Sequence, residues 1–159
     1  MQEEKYNTRD RSYSAWHRRN STRRFVGIEV AQNLAMIDLD ASLYVEYDDG
    51  TKEPLALVET AIDVGQAYKT ATVTKKLAER AGIPAFVLLY ELADDPNPAD
   101  CDFMDIKSFR AKVINWPFKE DPKSFDWVKM DPEKWCRFLV WLRLKQAKVI
   151  DGDANEQAN

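Results

Sequence analysis

Three acidic residues stand where packing gives no reason for them. Glu59 interrupts the apolar run Leu55-Ala-Leu-Val-Glu-Thr-Ala-Ile62, and Asp38 and Asp40 flank Leu39 at the head of the preceding apolar stretch. An unpaired buried carboxylate is costly, so a cation or a set of hydrogen bonds has to compensate it. A divalent metal shared by Asp40 and Glu59, with Asp38 as the competing first acid, would do so. Two carboxylates and a backbone carbonyl, that of Thr60, make a hard oxygen set suited to magnesium or manganese. Such an ion holds a scissile phosphate and lowers the pKa of a bound water. The plain alternative is an acid salt-bridged to an arginine.

Whether these acids meet depends on the elements that carry them. Residues 36–47 place Ile37, Leu39, Leu43, Val45 and Tyr47 on odd positions and Asp38, Asp40 and Glu46 on even ones. That alternation is a strand signal, and Asp48-Asp49-Gly50 after it is a turn. Residues 54–62 then return antiparallel as a central strand, with Leu57, Glu59, Ala61 and Asp63 on one face. The spacing of Val73, Leu77 and Ala81, with Gly82 as cap and Pro84 beyond, predicts a helix over 66–81 in which Lys69 lies one turn in. Residues 85–92 form a second apolar strand ending at Asp94-Asp95-Pro96-Asn97-Pro98, and a helix between two buried strands implies a parallel crossover. Residues 109–115 alternate as another strand before Trp116-Pro117. A last helix starts at Asp131 as N-cap, with Pro132 and Glu133 in its first turn, and carries Trp135, Phe138, Leu139 and Leu142.

The 159 residues suffice for one domain, assigned to 25–150. Residues 1–24 form a basic arm containing Arg18, Arg19, Arg23 and Arg24, without a sustained apolar period, and 151–159 form a tail disordered by composition. The net charge of −4 and pI near 5.1 argue against bulk attraction to nucleic acid. The four arginines and Gln66 are the candidate DNA contacts. No apolar run approaches the ~18 residues of a membrane span, and the first residues lack the apolar core of a secretory signal, so the expected location is cytoplasmic. Cys101 and Cys136, with His17 as the sole histidine, cannot build a thiolate zinc site. P-loop, GxGxxG, HExxH and GxSxG motifs are absent. Trp116, Trp127, Trp135 and Trp141 read as core or surface anchors ahead of base-stacking platforms.

The order of these features resembles the PD-(D/E)XK, restriction-endonuclease-like superfamily. Met36-Ile-Asp-Leu-Asp40, Pro54-Leu-Ala-Leu-Val-Glu-Thr-Ala61, Lys69-Thr-Ala-Thr-Val-Thr74, Ile83-Pro-Ala-Phe-Val-Leu-Leu-Tyr90 and Asp131-Pro-Glu-Lys-Trp135 are similar to segments of short phage and actinobacterial proteins. The resemblance covers roughly residues 13–148. It implies an α/β fold with a three-layer core, a mixed central sheet, a crossover helix and a C-terminal helix. Asp40 would match the first acid, with Asp38 competing, and Glu59 the second. The motif's lysine would fall at Ala61, and a lysine relocated to the following helix falls on Lys69. The implied activity is that of a phage-encoded DNA endonuclease using magnesium or manganese at Asp40, Glu59 and Thr60 in the host cytoplasm. The alternative is a non-catalytic phage protein that binds DNA or a host protein on a degenerate nuclease fold. A homodimer would suit cleavage of both strands of a duplex.

Overall fold

The turn Asp48-Asp49-Gly50 folds as its residues dictate. Gly50 takes φ +82°, which glycine adopts without steric cost, and its N–H donates to the Tyr47 carbonyl. The Asp49 carboxylate accepts from both the N–H and the hydroxyl of Thr51, and these bonds hold its pKa below the ordinary aspartate value. The turn joins β1 (Ala41–Glu46) to β2 (Lys52–Ile62) as an antiparallel pair with Ala41 opposite Val58. The first strand is shorter than the alternation predicted, so Asp40 precedes it instead of lying within it.

The structure, a computed structural model, describes Ser12, Trp16 and residues 22–34 and 39–157, the side chains of 151–157 excepted. Asp38, His17, Arg18 and Arg19 lie outside the described residues. The chain divides into two units, Met1–Asp38 and Leu39–Asn159. In the first unit, Arg23 and Arg24 open a helix, α1 (Arg23–Gln32). Gly27, at φ +79° and ψ +171°, breaks it into two pieces, which is why no continuous helical period marks it in the sequence. Phe25 stacks on Trp16 at 6.3 Å, and the Arg24 guanidinium lies 5.1 Å above the Phe25 ring.

The second unit is α/β. Its mixed five-stranded sheet has the order β1-β2-β3-β4-β5, completed by β3 (Ala85–Asn97), β4 (Asp100–Asn115) and β5 (Val128–Met130). The β2–β3 pair is parallel, with the expected crossover helix between, and the other pairs are antiparallel. Two strands outrun the sequence reading. Asp94 to Asn97 continue β3 into an irregular ribbon with β4, whose register shifts absorb Pro96. β5 carries too few residues to show a period.

The crossover helix, α2, spans Thr72–Ala81, and its C-cap Gly82 takes the left-handed conformation at φ +68°. It starts six residues later than predicted. Gly65 at φ +79° and the hydrogen-bonded turn around Asp63 hold residues 63–71 as a loop, so Lys69 lies on that loop and not in the helix. The last helix, α3 (Pro132–Gln157), has the predicted N-cap, the Asp131 carboxylate accepting from Lys134 N–H at 2.8 Å. It runs past Asp151, where a disordered tail was predicted. A helix already nucleated adds residues at little further cost.

Alternation along the strands then sorts the core into two faces. On one, Ala56, Val58, Phe86, Leu88, Phe109 and Ala111 pack with Trp135 and Leu142 of α3. Phe86 makes edge-to-face contacts with Trp116, Trp135 and Phe138, as ring quadrupoles prefer. The tryptophans at 116, 135 and 141 thus serve packing. On the other face, Leu57, Ile83 and Ala85 pack with Ala78 of α2. Gln146 of α3, 5% exposed, donates to the Leu55 carbonyl at 2.9 Å and ties that helix to β2.

Candidate active site

Glu59 lies on the α2 face of β2 and is only 8% exposed. Two groups compensate its burial. Thr74 of α2, itself buried, donates its hydroxyl to Glu59 Oε2 at 3.0 Å. Lys69 Nζ donates to Glu59 Oε1 at 3.0 Å and to the Thr60 carbonyl at 2.5 Å. Asp40 enters from the other side of the hairpin. Its Oδ2 accepts from Thr60 N–H at 2.7 Å and from the Thr60 hydroxyl at 3.2 Å, and lies 3.6 Å from Lys69 Nζ. Asp40, Glu59, Lys69 and the Thr60 carbonyl therefore converge at one corner, at the end of β2 beside the start of β1. The charges there are two carboxylates against one ammonium.

Ala61, two residues beyond Glu59, brings only a methyl group and no positive charge to this corner. The loop after β2 delivers one instead. Its shape is fixed from β4 and β5. Arg110 of β4 forms a bidentate pair with Asp63, Nε to Oδ2 at 2.9 Å and Nη2 to Oδ1 at 2.8 Å, and Nη2 also donates to the Gln66 carbonyl. Trp127, just before β5, donates its indole N–H to the Ala67 carbonyl at 3.1 Å, and the Arg110 guanidinium lies 4.6 Å from the centre of its ring. The Arg110 bonds, with the Gly65 N–H, hold the Asp63 carboxyl below the ordinary aspartate value, and Asp63 raises the Arg110 pKa in return. Two anchored carbonyls, at Gln66 and Ala67, thus precede Lys69 by three and two positions.

Several sequence assignments change here. Gln66, a candidate DNA contact, uses its amide inside the turn, accepting from Val64 N–H and donating to the Ile62 carbonyl. Arg23 and Arg24 belong to the other unit. Thr74, Arg110 and Trp127 carry no motif, although Asp63 on the Glu59 face and Arg110 on the alternating strand 109–115 were each visible as charges in half-buried runs.

Two carboxylates and a carbonyl match the donor chemistry of a hard cation. Among the described residues, however, no group of three or more His, Cys, Asp or Glu residues could hold a metal, and the Lys69 ammonium bonds to two of the three oxygens and lies near the third. By donor type the oxygen set suits a divalent ion, and in the structure the Lys69 ammonium occupies it. On the opposite face of the sheet is a cavity of about 540 Å³ lined by Phe86, Trp116, Trp135, Phe138 and Trp141, with Lys145 at hand. No protein-family model, curated protein or solved structure matches the chain. No helix among the described residues is long and apolar enough to cross a membrane.

Proposed function

We propose that the chain is a divalent-metal-dependent DNA endonuclease of restriction-endonuclease-like type, with Asp40, Glu59 and the Thr60 carbonyl as metal ligands and Lys69 as the catalytic lysine. The observation that supports it is the convergence of Lys69 Nζ on Glu59, Thr60 and Asp40 from a loop, in a chain that has alanine at the motif's lysine position. A helix between parallel β2 and β3, with the acids at one end of those strands, is compatible with that type of core. Bound magnesium or manganese would stabilise charge on the scissile phosphate and acidify a water. The chain's own parts have narrower tasks. Asp40 and Glu59 present oxygen ligands, Thr74 orients Glu59, Thr60 N–H and hydroxyl orient Asp40, and Lys69 offers a compact positive charge to a phosphate oxygen.

The test is incubation of purified protein with supercoiled plasmid and magnesium or manganese, beside Glu59→Gln and Lys69→Met. Cleavage by the wild-type chain and its loss in both variants is the expected result. Cleavage surviving Glu59→Gln would sink the site.

A second reading has its own observation. The ammonium already satisfies both acids, so the cluster can serve as a structural ion pair on a scaffold that binds DNA or protein without cutting. Absence of cleavage by wild type, with a metal-independent fall in stability for Lys69→Met, would favour it.

A further inference from the structure

The strand register carries the α2 face of the sheet beyond the acids. Glu59 pairs with Val87 on β3, and Val87 with Lys112 on β4, so Glu59 and Lys112 stand in one row on one face. The next row runs Ala61, Leu89, Arg110 and, on β5, Lys129. Two strand spacings put Lys112 about 10 Å across the sheet from Glu59, roughly the axial span of three nucleotides of one strand.

The cations of these rows differ in what holds them. Arg110 is committed to Asp63 and the Gln66 carbonyl. Among the described residues, neither Lys112 nor Lys129 forms an ion pair. Lys112 lies 5.8 Å from the centre of the Trp127 ring, and Lys129 is exposed. The nearby acids are engaged elsewhere. Asp63 is bound by Arg110, Glu91 by Lys107 and Ser108, and the Asp126 carboxylate accepts from Trp127 N–H. An acidic chain thus keeps two cations outside any ion pair among the described residues on the face where the acids and Lys69 meet, the Lys129 charge acting on Asp63 and Glu91 only from beyond ion-pair distance.

We propose that this face of β4 and β5 is the track for the substrate strand, with Lys112 and Lys129 holding phosphates beside the one bound at Asp40 and Glu59. The proposal rests on the nuclease reading for the identity of the strand as DNA. Contacts of point charges to phosphate carry no sequence information, so the grip is sequence-independent. Trp127 links it to catalysis, because the same side chain fixes the loop of Lys69 and neighbours Lys112.

The test is fluorescence anisotropy of a labelled duplex oligonucleotide in EDTA at several salt concentrations. Lys112→Gln/Lys129→Gln should weaken binding about tenfold at low salt and reduce the slope of log K against log salt by about 1.8, two phosphate contacts' worth. Lys52→Gln, which removes a charge paired with Glu46 at the hairpin, should leave the slope unchanged. In a cleavage assay the double variant should raise KM and leave kcat within about twofold of wild type, as loss of uniform binding does. An unchanged slope in a double variant with native circular dichroism would overturn the track. Slope-dependent binding without any cleavage would remove the nuclease reading and leave the track standing, whereas cleavage with unchanged KM and slope would remove only the track. Absence of both binding and cleavage in the wild-type chain would overturn both.

Discussion

The Lys69 ammonium reaches ten residues back along the chain to Glu59 Oε1, 3.0 Å away, and there meets oxygens that a divalent ion would also seek. In the proposed function, amine and ion would compete for one corner. The loop that presents the ammonium is anchored at Gln66 and Ala67, and the flexible lysine stem spans from it to the oxygens.

Lys69→Met should cost about 3 kcal/mol in metal-free buffer, because Glu59 stays buried with Thr74 as its remaining donor. Magnesium should restore part of that loss by occupying the vacated corner. Thermal unfolding with and without magnesium checks this, the metal-induced rise in Tm being larger in the variant than in wild type. Equal rises would mean that amine and ion do not share oxygens.

Thr74→Val keeps the shape of the side chain and removes the hydroxyl that Glu59 Oε2 accepts from. A hydrogen bond to a charged group is worth about 1.5–3 kcal/mol, and urea unfolding should show a loss in that range. If the nuclease reading holds, kcat should fall as well, since the carboxylate loses an orienting contact. A stable variant with wild-type stability would show that Thr74 does not support the acid.

Arg110→Met should release the loop that presents Lys69. Asp63, part-buried, loses a bidentate partner, at a cost of about 2 kcal/mol. Trp127→Phe keeps the ring and removes only the N–H to Ala67, at about 1 kcal/mol. Both variants should broaden the NMR signal of the Lys69 ammonium, which is protected from exchange while it donates to Glu59 and Thr60. A sharp signal in both would separate the clamp from the site.

The Asp63–Arg110 pair also sets an acid dependence. Arg110 holds the Asp63 carboxyl below the ordinary aspartate value in the folded chain, so the unfolded chain binds more protons as the pH falls toward that value. Its contribution is fully present above the unfolded value and is lost as the pH falls through the folded one. Urea midpoints measured from neutral to acid pH should fall less steeply in Arg110→Met than in wild type. Parallel curves would contradict the coupling.

The sequence by itself determined the hairpin, the crossover and the suspicion attached to the acids. Period-two alternation with Asp48-Asp49-Gly50 is local information, as are Gly82 after one helix and Asp131 before another, and each acts through nearest neighbours in the chain. A carboxylate inside an apolar run was anomalous before any fold was known. The helical pattern misled in one respect. Spacing allowed the helix to begin at Gln66, whereas the loop to Thr72 is held by Arg110 and Trp127, which lie 44 and 60 residues away from the carbonyls they bind. No local propensity encodes such contacts.

Tertiary structure alone decided that Lys69 reaches Glu59 from a loop, that Thr74 completes the surroundings of the acid, and that Lys112 stands in the same row. Register across β2, β3 and β4 brings together side chains that share no segment of sequence, and the identity of a row is fixed only when the strands pair. The sequence could name Glu59 as a charge in need of partners, with Asp40 or Asp38 and Lys69 as candidate neighbours. Which partners it has depended on the closing of the sheet and on a loop tied down from its far side.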